Sequence, residues 1–315
     1  MLEIRQATSD EDLAHLSRIV CSVTPDFPTS VEEVRWGEQA YPGGRRFLAW
    51  LDGQPVGCGG AGRMYIYPPE YEGLWGSVTV LPEHRRRGVG AELLATVSTF
   101  THEAGKRLLL GRVTADRLDA IDFLEHRGFA EYERMKAVRL DLEGLVPGPV
   151  APPPGVVISS LEQRPDLVDG VYRVAVEAMP DIPGDGPIAP ATLDEFRVLE
   201  VDRPAIPAGG FAVAIDAATD LVVGYASLLV LPGNPTVAWN GMTAVGHAWR
   251  GRGVASALKR ATIAWASTNG ILALETANDV SNAPMRAVNA RLGYEPRPDE
   301  IYYRGPVAPF VTVPA

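Results

Sequence analysis

Apolar positions along this chain alternate between a period of two and a period near four, in an order that occurs twice. In the first half, "EIRQA" (3–7) predicts a strand, and Ser9 or Asp10 caps a helix over "SDEDLAHLSRIV". A hairpin follows at 46–66, with Asp52 and Gly53 as its turn, and then the β-branched strand "LWGSVTVL" (74–81). A helix from 88 to about 104 places Val89, Leu93, Val97 and Phe100 on one stripe. After it come a buried strand "RLLLGRV" (107–113), a helix "RLDAIDFLEHRG" (117–128) closed by Gly128, and an alternating strand "RMKAVRLDL" (134–142). The second half repeats this as "VVISSL" (156–161), a longer helix-and-loop region, a hairpin at 211–230 and "WNGMTAV" (239–245). Its helix from 253 is lined by Val254, Leu258, Ala261 and Trp265, and is followed by "ILALETAN", "NAPMRAVNARLG" and "EIYYRGP". The predicted class is α+β: two tandem domains, each a mixed, mostly antiparallel sheet with helices on both faces.

The repeat is in register. Arg85, Gly88 and Gly90 match Arg250, Gly253 and Ala255, and Gly128 matches Gly293, all offset by 165 residues. "FLAWLDGQPVG" (47–57) pairs with "FAVAIDAATDLVVG" (211–224). An internal duplication accounts for these matches. Between the copies lies "LVPGPVAPPPG" (145–155), whose five prolines neither continue a helix nor donate to a strand ladder. The expected domains are therefore 1–144 and 156–315, joined by the stiff linker 145–155.

Composition narrows the class. The chain is 46% hydrophobic and 22% charged with a formal net charge of −10, which speaks against a nucleic-acid or acidic-membrane partner. Two cysteines, Cys21 and Cys58, give no disulfide framework, and five scattered histidines give no metal spacing, so no metal is expected. Charges at Glu3, Arg5, Asp10 and Glu11 exclude a secretory apolar segment, and Asp216 and Asp220 interrupt the most apolar stretch. A cytoplasmic location is the expectation.

The chemistry sits in the repeated turns "HRRRGVGAELL" (84–94) and "WRGRGVASALK" (249–259). A strand that runs through Arg-x-x-Gly-x-Gly into a helix brings backbone close to a ligand and offers unpaired N–H groups at a positive helix end. Arg85, Arg86 and Arg87 add charge in one copy, and Arg250 and Arg252 in the other; the arrangement suits a pyrophosphate. "GCGGAG" (57–62) fits a dinucleotide fingerprint formally, but an alternating strand and prolines follow it where a helix is required.

The Arg-x-x-Gly-x-Gly/Ala turn resembles motif A of the GNAT N-acetyltransferase superfamily, and "FLEHRGF" and "AVNARLGY" resemble its motif B. The resemblance covers nearly the whole chain. It implies a fold that binds acetyl-CoA between splayed strands. The cofactor residues carried over are Val78, Thr79, Val80, Arg85, Arg86, Arg87, Gly88, Val89 and Gly90 in the first half. In the second they are Thr243, Ala244, Val245, Arg250, Gly251, Arg252, Gly253, Val254 and Ala255, with Asn278 and Asn282 added from the pattern Asn-x-x-x-Asn-x-x-Met-x-x-x-Asn-x-x-Leu-Gly.

The resemblance further implies direct acetyl transfer to an amine, with a backbone N–H near Val80 or Val245 stabilising the thioester oxygen. The tyrosine such enzymes carry four residues before the motif B glycine is absent: Leu124 and Asn289 stand there. The asparagine-rich second half is expected to catalyse, with Asn289, Tyr303 and Glu275 as candidate catalytic groups. Asp181 and Asp185 are candidates for holding a cationic amine, and Tyr65, Tyr67 and Tyr71 either line an aromatic pocket or cover the sheet. The expected function is acetyl-CoA-dependent N-acetylation of a small molecule. The alternative is a degenerate acyl-CoA-binding regulatory or interaction module, and the oligomeric state is open.

Overall fold

A computed structural model describes residues 1–64, 66–183, 188, 191–230 and 233–307. The contacts divide the chain into two compact units, one formed by Met1–Arg134 with the segment that begins at Asp299, the other by Met135–Pro298. Among the described residues no helix is long and apolar enough to cross a membrane.

The first unit runs β1 (Leu2–Gln6), α1 (Asp10–Val23), α2 (Val31–Ala40), β2 (Arg45–Leu51), β3 (Gln54–Gly62), β4 (Gly73–Val80), α3 (Val89–Glu103), β5 (Leu108–Thr114), α4 (Leu118–Glu125) and the start of β6 (Ala130–Asp141). Ser9 caps α1 and Asp12 reciprocates, so the helix begins where its polar cap predicts. The predicted stripe of α3 is buried: Val89, Leu93, Val97 and Phe100 pack with Ala49, Val56 and Leu109 in one core. Leu93 is fully buried, which at ordinary transfer energies stabilises the fold by about 1.5–3 kcal/mol.

The second unit runs from the rest of β6 through β7 (Val156–Ser160), α5 (Val168–Ala178), α6 (Leu193–Phe196), β8 (Ala212–Asp216), β9 (Val222–Val230), β10 (Val237–Val245), α7 (Val254–Thr268), β11 (Ala273–Asp279), α8 (Ala283–Arg291) and β12 (Glu295–Pro296). Val254 and Leu258 of α7 are buried as predicted and pack on Ala214, Val223 and Ala226, while Ala261 stands partly buried at the edge of the same cluster.

The last strand, β13 (Glu300–Pro306), does not join its own half. It lies antiparallel to β5, with Glu300 opposite Thr114 and Pro306 opposite Leu108. The end of β6, correspondingly, lies antiparallel to β11, with Met135 opposite Asp279 and Asp141 opposite Ala273. These registers are the same register displaced by 165 residues, so the two halves exchange equivalent final strands. The compact units therefore differ from the sequence halves 1–144 and 156–315. Strand pairing is made by backbone groups, which carry no mark of the half they come from.

Candidate functional site

Among the described residues each unit has a parallel strand pair whose pairing stops after three residues. β4 and β5 pair at Gly73–Leu108, Leu74–Leu109 and Trp75–Leu110. β10 and β11 pair at Val237–Ala273, Ala238–Leu274 and Trp239–Glu275. Beyond those pairs β4 and β10 run on to the arginine–glycine turns, with Val78, Thr79 and Val80 in one and Thr243, Ala244 and Val245 in the other. Val78 and Val80 pack against the first core, and Val245 packs with Val254 in the second unit.

The two turns share one backbone. Arg86 and Gly88 have positive φ of 60° and 82°, and their counterparts Gly251 and Gly253 have 72° and 90°. Gly88 and Gly253 cap α3 and α7 with no side-chain hydrogen bond, so the first N–H groups of both helices remain available to an anion. Arg85 Nε donates to the Val80 carbonyl at 3.2 Å, and Arg250 Nε to the Val245 carbonyl at 2.9 Å. Each arginine thus ties the end of its strand to the turn. Arg87, Arg252, Val89, Val254, Gly90 and Ala255 complete the same short stretches. This donor set and charge fit the pyrophosphate of acetyl-CoA in both units.

The units differ at the strand before the turn. β3 and β4 pair without interruption from Gly62–Trp75 to Gly57–Val80. β9 and β10 shift register between Asn240 and Thr243, so Gly241 and Met242 together stand opposite Ser227. This is a β-bulge, which takes a residue out of the ladder. Ser227 is buried beneath it, and among the described residues its hydroxyl has no hydrogen-bond partner. A Cβ at Gly241 would come within 2.5 Å of that hydroxyl oxygen, so any larger residue there requires the Ser227 side chain to shift.

The second unit joins two of the polar residues expected from the sequence, Asn289 and Asn278. Asn289 is 2% exposed, and its Nδ2 donates to Asn278 Oδ1 at 2.6 Å. Asn282 caps α8 by accepting from the Met285 N–H at 3.2 Å. Glu275 is buried on the same strand and accepts from Arg139 at 2.7 Å, an ion pair that occupies its carboxylate.

Tyr303 is placed elsewhere. Carried by β13, it is buried in the core of the first unit, and its hydroxyl donates to Glu125 at 2.9 Å. Burial and the neighbouring Glu125 push that phenol up to about 12. Tyr303 therefore belongs to the first unit, whereas Asn289 and Glu275 belong to the second.

Asp181 meets side chains of the protein itself: its Oδ2 lies 2.7 Å from His247 Nε2 and 2.7 Å from the guanidinium Nη2 of Arg250. Those hydrogen bonds, from His247 first and then Arg250, hold its carboxyl below the usual range. Asp185 and Tyr65 lie outside the described residues. Tyr67 and Tyr71 stack on each other with ring centroids 4.2 Å apart.

Two residues emerge only in three dimensions. Lys259 is 2% exposed on α7, and its Nζ donates to Asn289 Oδ1 at 2.7 Å. Burial pushes its amine down to about 7. Its position next to the apolar Leu258 disguises it as the edge of a solvated face. Glu200 lies in a single π-helical turn, Arg197–Val201, directly after α6. Desolvation pushes its carboxyl up to about 7. Phe196 and Leu199 of this segment pack with Tyr225 and Met242, which puts Glu200 on the element facing the bulge. Its sequence signal is nil, since one glutamate in "EFRVLEVD" resembles any exposed helix residue.

Two copies of a splayed strand pair, each ending in an uncapped helix start, define the fold of a tandem acetyltransferase. The model of the acetyltransferase (GNAT) family matches residues 13–129 and 176–294, and the chain belongs to that family. A mycothiol acetyltransferase from Brachybacterium faecium is 26% identical over 231 residues. That match takes in 68% of this chain and 62% of the relative, so the chain spans about three fifths of the curated relative's length. Among solved structures, a tandem GNAT protein from the clavulanic acid biosynthesis pathway superposes with a TM-score of 0.77 at 22% identity, over 98% of this chain and 99% of its own. A GCN5-related N-acetyltransferase from Sphaerobacter thermophilus gives 0.72 at 19% identity, over 97% and 96%.

Proposed function

We propose that this protein transfers an acetyl group from acetyl-CoA to the amine of a small molecule, and that the second unit is the catalyst. The observation that carries the assignment is the bulge at Gly241 and Met242, which has no counterpart in β4. A bulge frees backbone N–H groups from the ladder at the point where β10 and β11 part. Fixed N–H donors at such a point suit a thioester oxygen that gains negative charge. The curated relative, a mycothiol acetyltransferase, supports a small-molecule acceptor.

Arg250, Gly251, Arg252 and Gly253 would hold the pyrophosphate, and the N–H groups of the bulge would face the acyl end. When bound, acetyl-CoA supplies an activated acetyl group and a sulfur leaving group. Glu200, whose carboxyl sits near 7, is matched to accept the proton that an attacking ammonium must lose. Glu275 is less suited to that task because its carboxylate is already taken up by the ion pair with Arg139. The first unit keeps an intact cradle and an unbulged strand, which suits binding of acyl-CoA without turnover.

The test is thiol release from acetyl-CoA across a panel of small amines. Loss of turnover in Arg250→Ala, with Arg85→Ala close to wild type, is expected. Calorimetric binding of acetyl-CoA with no thiol release from any amine would instead establish the non-catalytic binding module.

A further inference from the structure

Three positions related by the 165-residue offset carry hydrocarbon in the first unit and hydrogen-bonding groups in the second. Leu94 and Val113 are buried in the first core, and Leu124 packs against it. Their counterparts are Lys259, Asn278 and Asn289. These form a chain from α7 through α8 to β11. Lys259 Nζ donates to Asn289 Oδ1 at 2.7 Å, and Asn289 Nδ2 donates to Asn278 Oδ1 at 2.6 Å.

The chain has a direction. In its charged form the lysine only donates, so the Asn289 oxygen faces it and the Asn289 amide nitrogen faces away. That nitrogen in turn fixes the oxygen of Asn278. The Asn278 Nδ2 is left as the outer donor, and it donates to no described side chain or carbonyl. Asn278 lies three residues past Glu275, the last β11 residue that pairs with β10, and so sits where the strands have parted.

The lysine is costly to keep. Among the described residues no carboxylate pairs with it; the Tyr294 ring, 4.9 Å from Nζ, is the titratable group packed against it. A hydrocarbon at this position is compatible with the fold, because Leu94 occupies it in the first unit. A buried amine without a counter-ion is retained against a desolvation penalty of several kcal/mol, so a plain packing role would favour leucine.

We propose that Lys259 is a positioning residue which, through Asn289, holds Asn278 with its Nδ2 as a hydrogen-bond donor for the sulfur that leaves coenzyme A. This rests on the transferase reading of the second unit. It gives the asparagine at the motif B position a task that replaces proton donation: the thiolate is stabilised by a polarised amide rather than protonated by a phenol. A thiolate with an ordinary pKa near 8.5 needs no more than that to depart.

Two measurements on the full chain test it. The first is the side-chain amide 15N spectrum of wild type and Lys259→Met, with the Asn278 pair assigned by its loss in Asn278→Asp. Displacement of both the Asn289 and the Asn278 amide signals is expected; unmoved Asn278 signals overturn the proposal. The second is turnover. Lys259→Met should lower kcat at least tenfold while KM for acetyl-CoA stays within twofold. The triple variant K259L/N278V/N289L copies packing that already folds in the first unit; it should bind acetyl-CoA and lose turnover at least a hundredfold. Wild-type kcat in the triple variant overturns the proposal. Should wild type itself release no thiol, the transferase reading fails and the proposed role for the Asn278 donor falls with it, while the spectrum still reports separately whether Lys259 orders the two amides.

Discussion

The carboxylate of Asp181 lies 2.7 Å from the guanidinium of Arg250, in the turn that is suited to hold a pyrophosphate. The arginine–glycine turn of the second unit thus carries an anion supplied by its own chain. His247 shares that carboxylate, and the hydrogen bonds from His247 and Arg250 hold it below the usual carboxylate range.

Replacing Asp181 by Asn removes a negative charge from an anion site. Exposed ion pairs are worth about 0–1 kcal/mol, so acetyl-CoA should bind up to about fivefold more tightly. Calorimetry at low and moderate salt measures this. Weaker binding would show that Asp181 orients Arg250 rather than competing with the ligand.

The bulge gives a steric prediction. Gly241→Ala places a Cβ against the Ser227 hydroxyl, an overpacking that should destabilise the protein by about 1–3 kcal/mol. Adding Ser227→Ala removes the opposing atom and should restore most of the loss. Urea unfolding of the two single variants and the double variant completes the cycle.

Glu200 sets a pH limb. Its folded carboxyl sits near 7, above the ordinary 4.5, so the basic form is present above that pH and disappears as the pH falls through it. Turnover at limiting amine should fall on the acid side of about 7. Glu200→Gln should lower the rate by about a hundredfold and erase that limb. An unchanged limb would assign it to another group, including the amine substrate.

Lys259 sets a stability window of the opposite kind. Its folded value near 7 lies below the ordinary 10.5, so between those pH values the unfolded chain binds the extra proton. Stability should therefore rise with pH across that window, by at most about 1.4 kcal/mol per pH unit, and be lost again as the pH falls towards 7. Lys259→Met lacks this term. Its stability relative to wild type should be greatest at pH 7 and decline towards pH 10, as read by chemical unfolding at each pH.

Much of the site was legible in local sequence because it is local in space. The turns at 85–90 and 250–255 need left-handed backbone, donors at a helix start and flanking arginines, and all three are written in consecutive residues. Arg86 is the exception, adopting the φ that Gly251 adopts in the other copy. Asn282, read from the sequence as a cofactor residue, also caps α8, a role that acts only on the residue three positions later.

Other residues were not legible, for reasons that differ. Glu275 reads as a free acid on a strand until Arg139, 136 residues away, is brought within 2.7 Å. Lys259 reads as solvated until the packing of α8 buries it against Asn289. The bulge depends on the pairing of β10 with β9, and "WNGMTAV" alone carries only a glycine to hint at it.

The sequence by itself determined the duplication, the class of fold and the two arginine–glycine turns, because periodicity and a short turn are set by neighbours along the chain. Only the tertiary structure decided which strand completes which sheet and which polar groups meet. Tyr303 shows the difference most plainly. Its strand has the pattern of the second half, yet it pairs with β5 and buries the tyrosine beside Glu125 in the first unit. Backbone hydrogen bonds are alike in every strand, so the choice of partner falls to the packing of whole faces, and that is not written in any one segment.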